Sequence, residues 1–155
     1  MSRVEVPWLF RGYEEAFGRF KDARILHDPE PAFRALFEAL AWAVSLDSRL
    51  GGLRDPVLRG MRFARNRVHH HWADAIWLDM GWSFPMQFPW TFFEWRWRQA
   101  DDLPPGPREA GIKKYKSVLQ GKPVRVAVSE ALNTFRTVVE SRFPAQGQEE
   151  PPGNG

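Results

Sequence analysis

Residues 55–79 read DPVLRGMRFARNRVHHHWADAIWLD, and this stretch decides how the rest of the chain is organised. Asp55 is a helix N-cap residue type, and Pro56 suits the first helical position, where a backbone N–H has no partner anyway. Val57, Met61, Ala64, Val68, Trp72 and Ala75 then recur at spacings of three and four. That period puts them on one face of a helix predicted to run to about Asp79.

The flanking sequence repeats the helical period. From about Trp8 to Leu26, Leu9, Tyr13, Ala16, Phe20 and Ala23 share a face, and His27-Asp28-Pro29-Glu30-Pro31 interrupts it. A second helix is predicted from Pro31 to Leu50, with Phe33, Leu36, Phe37, Leu40, Ala41 and Val44 buried and Gly51-Gly52 as its stop. Beyond residue 104 a short helix from about Arg108 to Leu119 ends at Gly121. A last one runs from Pro123 to Arg142 with Val124, Val128, Ala131, Phe135 and Val138 inward. Long amphipathic helices with short links predict a mostly α fold, an antiparallel bundle of four to five helices.

Residues 82–98 depart from this pattern. Trp82, Phe84, Met86, Phe88, Trp90 and Phe92 occupy alternate positions, and the phase then flips to Phe93, Trp95 and Trp97. Period two is strand periodicity, and Pro85 and Pro89 restrict any such strand to an edge. The expectation is a Trp/Phe-rich extended or hairpin insertion. It serves as a lid on the bundle, as a platform on which bases stack, or as an arm across a dimer partner.

With 155 residues, of which 43% are hydrophobic, the chain has the length and apolar content for one core. A single domain over 1–144 is expected, with a disordered Pro/Gly-rich tail at 145–155. The chain has no Cys, which excludes disulfides, thiolate nucleophiles and Cys-based zinc sites. No stretch is long and apolar enough for a membrane span, and the N-terminus lacks the apolar region of a secretory signal. A cytoplasmic protein is expected, without membrane association. Seventeen of its 22 basic residues are Arg. Either coding bias produces that excess or an anionic partner does, since guanidinium forks match phosphate geometry.

The predicted third helix carries the chemistry. On a regular helix Asn66, His70 and Asp74 share one face, and Arg65 and His69 lie on another side. Histidine exchanges protons near neutral pH, Arg stabilises charge on a phosphorane, and an amide positions the phosphate. Arg65, Asn66 and His70 supply those three groups for cleavage of RNA without metal. The ordinary reading of such a helix is a solvated polar face. His69, His70 and His71 point about 100° apart on a helix and so cannot share one metal ion. No metal and no cofactor is expected. Asp74 either orients His70 or is an ordinary surface charge.

The run Arg65-Asn66-Arg67-Val68-His69-His70 resembles the Arg-Asn-x-x-x-His ribonuclease motif of the HEPN superfamily. The resemblance implies a helical domain that dimerises around the motif, with Arg65, Asn66 and His70 as the catalytic set. His69, His71 and Asp74 are candidate supporting residues. It implies a metal-independent endoribonuclease of the toxin–antitoxin or phage-defence kind, with RNA as substrate and a protein antitoxin or other regulator as a further partner. Arg65 and His70 are five residues apart, roughly 140° on an ideal helix, which favours a composite site across a homodimer. Arg62, Arg67, Arg96, Arg98, Lys113 and Lys114 are the candidate RNA-backbone contacts. The alternative is a non-catalytic helical module that binds RNA or protein.

Overall fold

The computed structural model describes residues 5–26, 28–80, 93–106 and 109–144. Its elements are α1 (Glu5–Ile25), α2 (Pro29–Arg49), α3 (Pro56–Val68), β1 (Ile76–Asp79), β2 (Glu94–Trp97), α4 (Ile112–Lys114, continued by a π turn at Tyr115–Leu119) and α5 (Val124–Arg142). The fold is mostly helical, as the apolar period predicts.

Helices α1 and α2 form an antiparallel pair. Glu5 at the start of α1 pairs with Arg49 at the end of α2 at 3.0 Å, and Arg19 pairs with Glu38 at 2.6 Å. Asp28 caps α2 by accepting from the Glu30 N–H. The predicted inward stripe of α2 is rotated. Ala32, Ala35, Ala39 and Ala43 are buried with Leu36, Leu40 and Leu46, whereas Phe37 and Ala41 are exposed and Phe33 and Val44 only half-buried. Helix axes approach more closely over small side chains, so the alanines take the interior and the larger residues flank them. Helix α5 closes on α1, where the Tyr13 hydroxyl donates to the Val128 carbonyl and Arg136 pairs with Glu14 at 3.1 Å.

The third helix is shorter than predicted. It ends at Val68 instead of near Asp79, turns at His69–His71, makes one 3₁₀ turn at Trp72–Asp74 and enters β1. Val68, Trp72 and Ala75 are nonetheless all buried. A helix and a helix followed by a 3₁₀ turn both return the chain to the core after about one turn, so the apolar period does not distinguish them.

The two strands pair antiparallel, with Ile76 opposite Trp97 and Leu78 opposite Trp95. Phe93 and Trp97 are buried and Trp95 half-buried, so the alternation after the phase flip marks a real strand. Its partner comes from the end of the stretch predicted as helix. The alternating segment at 82–92 and the expected tail at 145–155 lie outside the described residues. The fourth helix starts later than predicted, at Ile112 after a turn at Ala110–Gly111, because Gly111 holds left-handed backbone at φ 92°. The buried side chains form one continuous core, contributed by all five helices and both strands. Among the described residues no helix is long and apolar enough to cross a membrane.

Candidate functional site

Asp55 fixes the start of α3. Its carboxylate accepts from the backbone N–H groups of Val57 and Leu58 at 2.9 and 3.0 Å, and from the Thr134 hydroxyl at 3.1 Å. The other end carries Arg65 and Arg67 in its last turn, where cations favour the negative end of the helix dipole.

His69 terminates the helix in the left-handed region, with φ 46° and ψ 48°, and His70 follows at φ 73°. Left-handed backbone costs a non-glycine residue about 1–2 kcal/mol. Two in succession are held by what surrounds them. Val68 on one side is 3% exposed and Trp72 on the other 1%. The backbone N–H of His71 donates to the Val68 carbonyl at 2.8 Å, and that of Trp72 to the His70 carbonyl at 3.0 Å. Beneath the turn, Trp72 meets Trp97, Trp97 meets Tyr115, and Tyr115 meets Phe63, with ring centroids 5.3–6.3 Å apart. The chain thus anchors both ends of a turn and leaves His69, His70 and His71 exposed between them.

The end of the helix at Val68 corrects the geometry predicted for this site. Asn66, His70 and Asp74 do not lie four apart on one helical face. Among the described residues His70 makes no hydrogen bond to Asn66 or to Asp74. The 140° separation of Arg65 and His70 also lapses, because His70 is on a turn, and with it the spacing argument for a composite site across two subunits.

Arg65 is half-buried, and its Nε is buried without a partner among the described residues. Arg67 lies over the Phe63 ring, 5.1 Å from its centroid, and its Nε is also unpartnered. A Cβ at Gly106 would come within 3.2 Å of Arg67 Cδ, so glycine there lets the backbone lie close to this side chain. Asn66, between the two arginines, is exposed.

The predicted RNA-contacting residues divide into two groups. Arg62 pairs with Asp47 at 3.3 Å and donates to the Leu53 carbonyl, and Arg96 pairs with Asp79 at 2.8 Å and donates to the Gly121 carbonyl. Both are committed to internal contacts. Arg67, Arg98, Lys113 and Lys114 have no carboxylate partner among the described residues. Lys113 and Lys114 are exposed on α4. The turn that follows packs so closely on α3 that a Cβ at Gly60 would lie 2.9 Å from Leu119 Cδ1. The Arg98 carbonyl accepts from the Tyr115 hydroxyl at 2.6 Å. Burial raises the Tyr115 pKa well above the ordinary phenol value, keeping the hydroxyl a donor.

Asp47 was missed in the sequence. It is a carboxylate only 2% exposed, beneath α3, and it also accepts from the Leu53 N–H at 2.8 Å. Desolvation raises its pKa, the Leu53 N–H and the Arg62 guanidinium pull the other way, and the charges of Asp55 and Arg65 add smaller effects upward and downward respectively. Its signal was a lone acid one turn beyond the alanine stripe, six residues before Leu53. Among the described residues no group of three His, Cys, Asp or Glu is arranged to hold a metal ion. No family model matches the chain, and no curated protein or solved structure registers as similar to it.

Proposed function

We propose that the chain is a metal-independent endoribonuclease of HEPN type whose centre is the turn at the end of α3. One observation carries this reading: two consecutive non-glycine residues, His69 and His70, hold left-handed backbone with their imidazoles exposed, directly after the helical turn that carries Arg65 and Arg67. Backbone of this cost persists only where its surroundings enforce it, and such residues concentrate at functional sites.

In the proposed reaction His70 takes the proton from a ribose 2′-hydroxyl as its oxygen attacks the adjacent phosphorus. The bond from phosphorus to the 5′-oxygen breaks, and that oxygen receives a proton. The products are a 2′,3′-cyclic phosphate and a 5′-hydroxyl. Arg65 stabilises charge on the phosphorane, Asn66 positions the phosphate, and His69 or His71 is the second proton carrier. A cytoplasmic homodimer in a toxin–antitoxin or phage-defence setting, held in check by a protein partner, is the role that the motif resemblance suggests. The test is cleavage of single-stranded RNA in EDTA by wild type and by His70→Ala. A loss of roughly 10²–10⁴-fold is expected. Equal rates would remove the catalytic reading.

A second reading, a non-catalytic RNA-binding module, is favoured by Arg67, Arg98, Lys113 and Lys114, cations without a carboxylate partner among the described residues. It predicts RNA binding that is unchanged in His70→Ala, with no cleavage by either protein.

A further inference from the structure

A groove of about 440 Å³, sharing no lining residue with the histidine turn, opens between the C-terminal half of α1 and the first turns of α5. Phe17 and Phe20 form its apolar floor, and Lys21, Arg24, Arg125 and Ser129 surround them. Ile25 and Val126, both exposed, extend the apolar surface to the rim.

The two arginines are held from behind. Glu94 of β2 accepts from Arg24 Nη2 at 3.1 Å and from Arg125 Nε at 3.0 Å, both on the same carboxylate oxygen. A guanidinium carries five N–H donors, so one bond to Glu94 leaves most of each unused. Arg24 Nε is buried and has no partner among the described residues. Glu94 Oε1, on the carboxylate behind it, is likewise buried and without a partner among the described residues. Lys21 sits over the Phe17 ring, 5.1 Å from its centroid, and has no carboxylate partner among the described residues. Lys21, Arg24 and Arg125 line the groove with one carboxylate, Glu130, and Glu94 pairs with the two arginines from outside the lining, so the set carries a surplus of one positive charge. A pre-positioned arginine fork above an aromatic floor suits one charged end and one apolar end of the same molecule.

We propose that this groove binds a monoanionic amphiphile, an aliphatic carboxylate whose head meets Arg24 and Arg125 and whose chain lies over Phe17 and Phe20. The site is separate from the histidine turn, and the proposal does not depend on the ribonuclease reading.

The experiment is calorimetric titration of the full chain with octanoate, 1-octanol and acetate. Octanoate is expected to bind saturably with one site per chain, and octanol and acetate at least tenfold more weakly, since each lacks one half of the recognised chemistry. Arg125→Gln should weaken octanoate at least tenfold. Ser129→Trp fills the groove from an exposed position and leaves the Glu94 contacts intact, so it should abolish binding without unfolding the protein. Equal binding of octanoate and octanol would overturn the proposal, as would unchanged octanoate binding in Ser129→Trp. Absence of saturable octanoate binding to the wild type would do the same.

Discussion

Trp72 meets Trp97 edge-on, with ring centroids 6.3 Å apart and planes at 69°, and both rings are fully buried. This contact joins the turn that carries the histidines to the strand that closes the sheet. It makes the turn part of the core, although its three imidazoles face solvent. Trp97→Ala should therefore destabilise the fold by about 3–5 kcal/mol, the usual cost of removing a buried large aromatic. Trp97→Phe should cost less and keep the turn in place. Urea unfolding of the two variants checks this, and equal losses would mean that the ring contact does not support the turn.

The left-handed backbone makes a prediction that separates stability from chemistry. Glycine adopts positive φ without the penalty a side chain incurs. His69→Gly and His70→Gly relieve about 1–2 kcal/mol of strain but add freedom to the unfolded chain worth up to about 1 kcal/mol, so they should match the wild type in stability or exceed it by up to about 1 kcal/mol. His69→Val should be less stable, since a β-branched residue at φ 46° is strongly disfavoured. On the proposed mechanism His70→Gly also loses cleavage, so the more stable protein is the less active one. Chemical denaturation with a parallel cleavage assay reads both.

Much of this was legible in the sequence, and the part that was not has a physical cause. Asp55-Pro56 marks the true start of α3, because a cap and a proline act locally. The end of α3 was not legible. Val68, Trp72 and Ala75 have to be buried in either a continued helix or a turn, so the apolar pattern is the same for both. No glycine or proline marks the break between Val68 and Asp79, and the left-handed stop falls on a histidine, His69. The same continuity moved His70 off the face predicted to hold Asn66 and Asp74. In α2, hydrophobicity alone placed Phe37 inside, and the alanines that permit close helix approach displaced it. Glu94, which receives Arg24 and Arg125 from two helices, depends on tertiary placement that no local pattern carries.

The division between committed and free cations predicts distinct phenotypes. Arg67→Ala and the double variant Lys113→Ala/Lys114→Ala should weaken RNA binding. Each should also make the salt dependence shallower, by about 1 in the log–log slope for every phosphate no longer neutralised. Arg62→Ala and Arg96→Ala should instead lower stability. Binding titrations at several salt concentrations, set beside unfolding curves, distinguish the two groups. A salt slope that falls in Arg62→Ala at unchanged stability would contradict the assignment.

Asp47 gives the protein a predictable pH response. Its folded-state pKa is raised above the ordinary carboxylate value, so the folded state holds that proton more tightly than the unfolded state. Stability from this group is therefore present at low pH and is lost as pH rises through the folded pKa. Arg62→Met removes the ion-pair partner and should cost up to about 3–5 kcal/mol at neutral pH, with the Leu53 N–H and the Arg65 charge left as partial compensation for the buried carboxylate. Part of that loss should return on acidification. Adding Asp47→Asn to Arg62→Met should flatten the response, as read by unfolding free energies across mildly acidic to neutral pH.

The chemistry of the product ends decides whether the histidine turn cleaves RNA without metal. A short RNA with a single 2′-deoxy substitution at its main cleavage position would be incubated with the protein in EDTA, beside the all-ribose parent, and the products weighed by mass spectrometry. The expected result is a 2′,3′-cyclic phosphate and a 5′-hydroxyl from the parent, no cut at the substituted position, and neither product from His70→Ala. Cleavage at the deoxy position, or the same products at the same rate from His70→Ala, would contradict it.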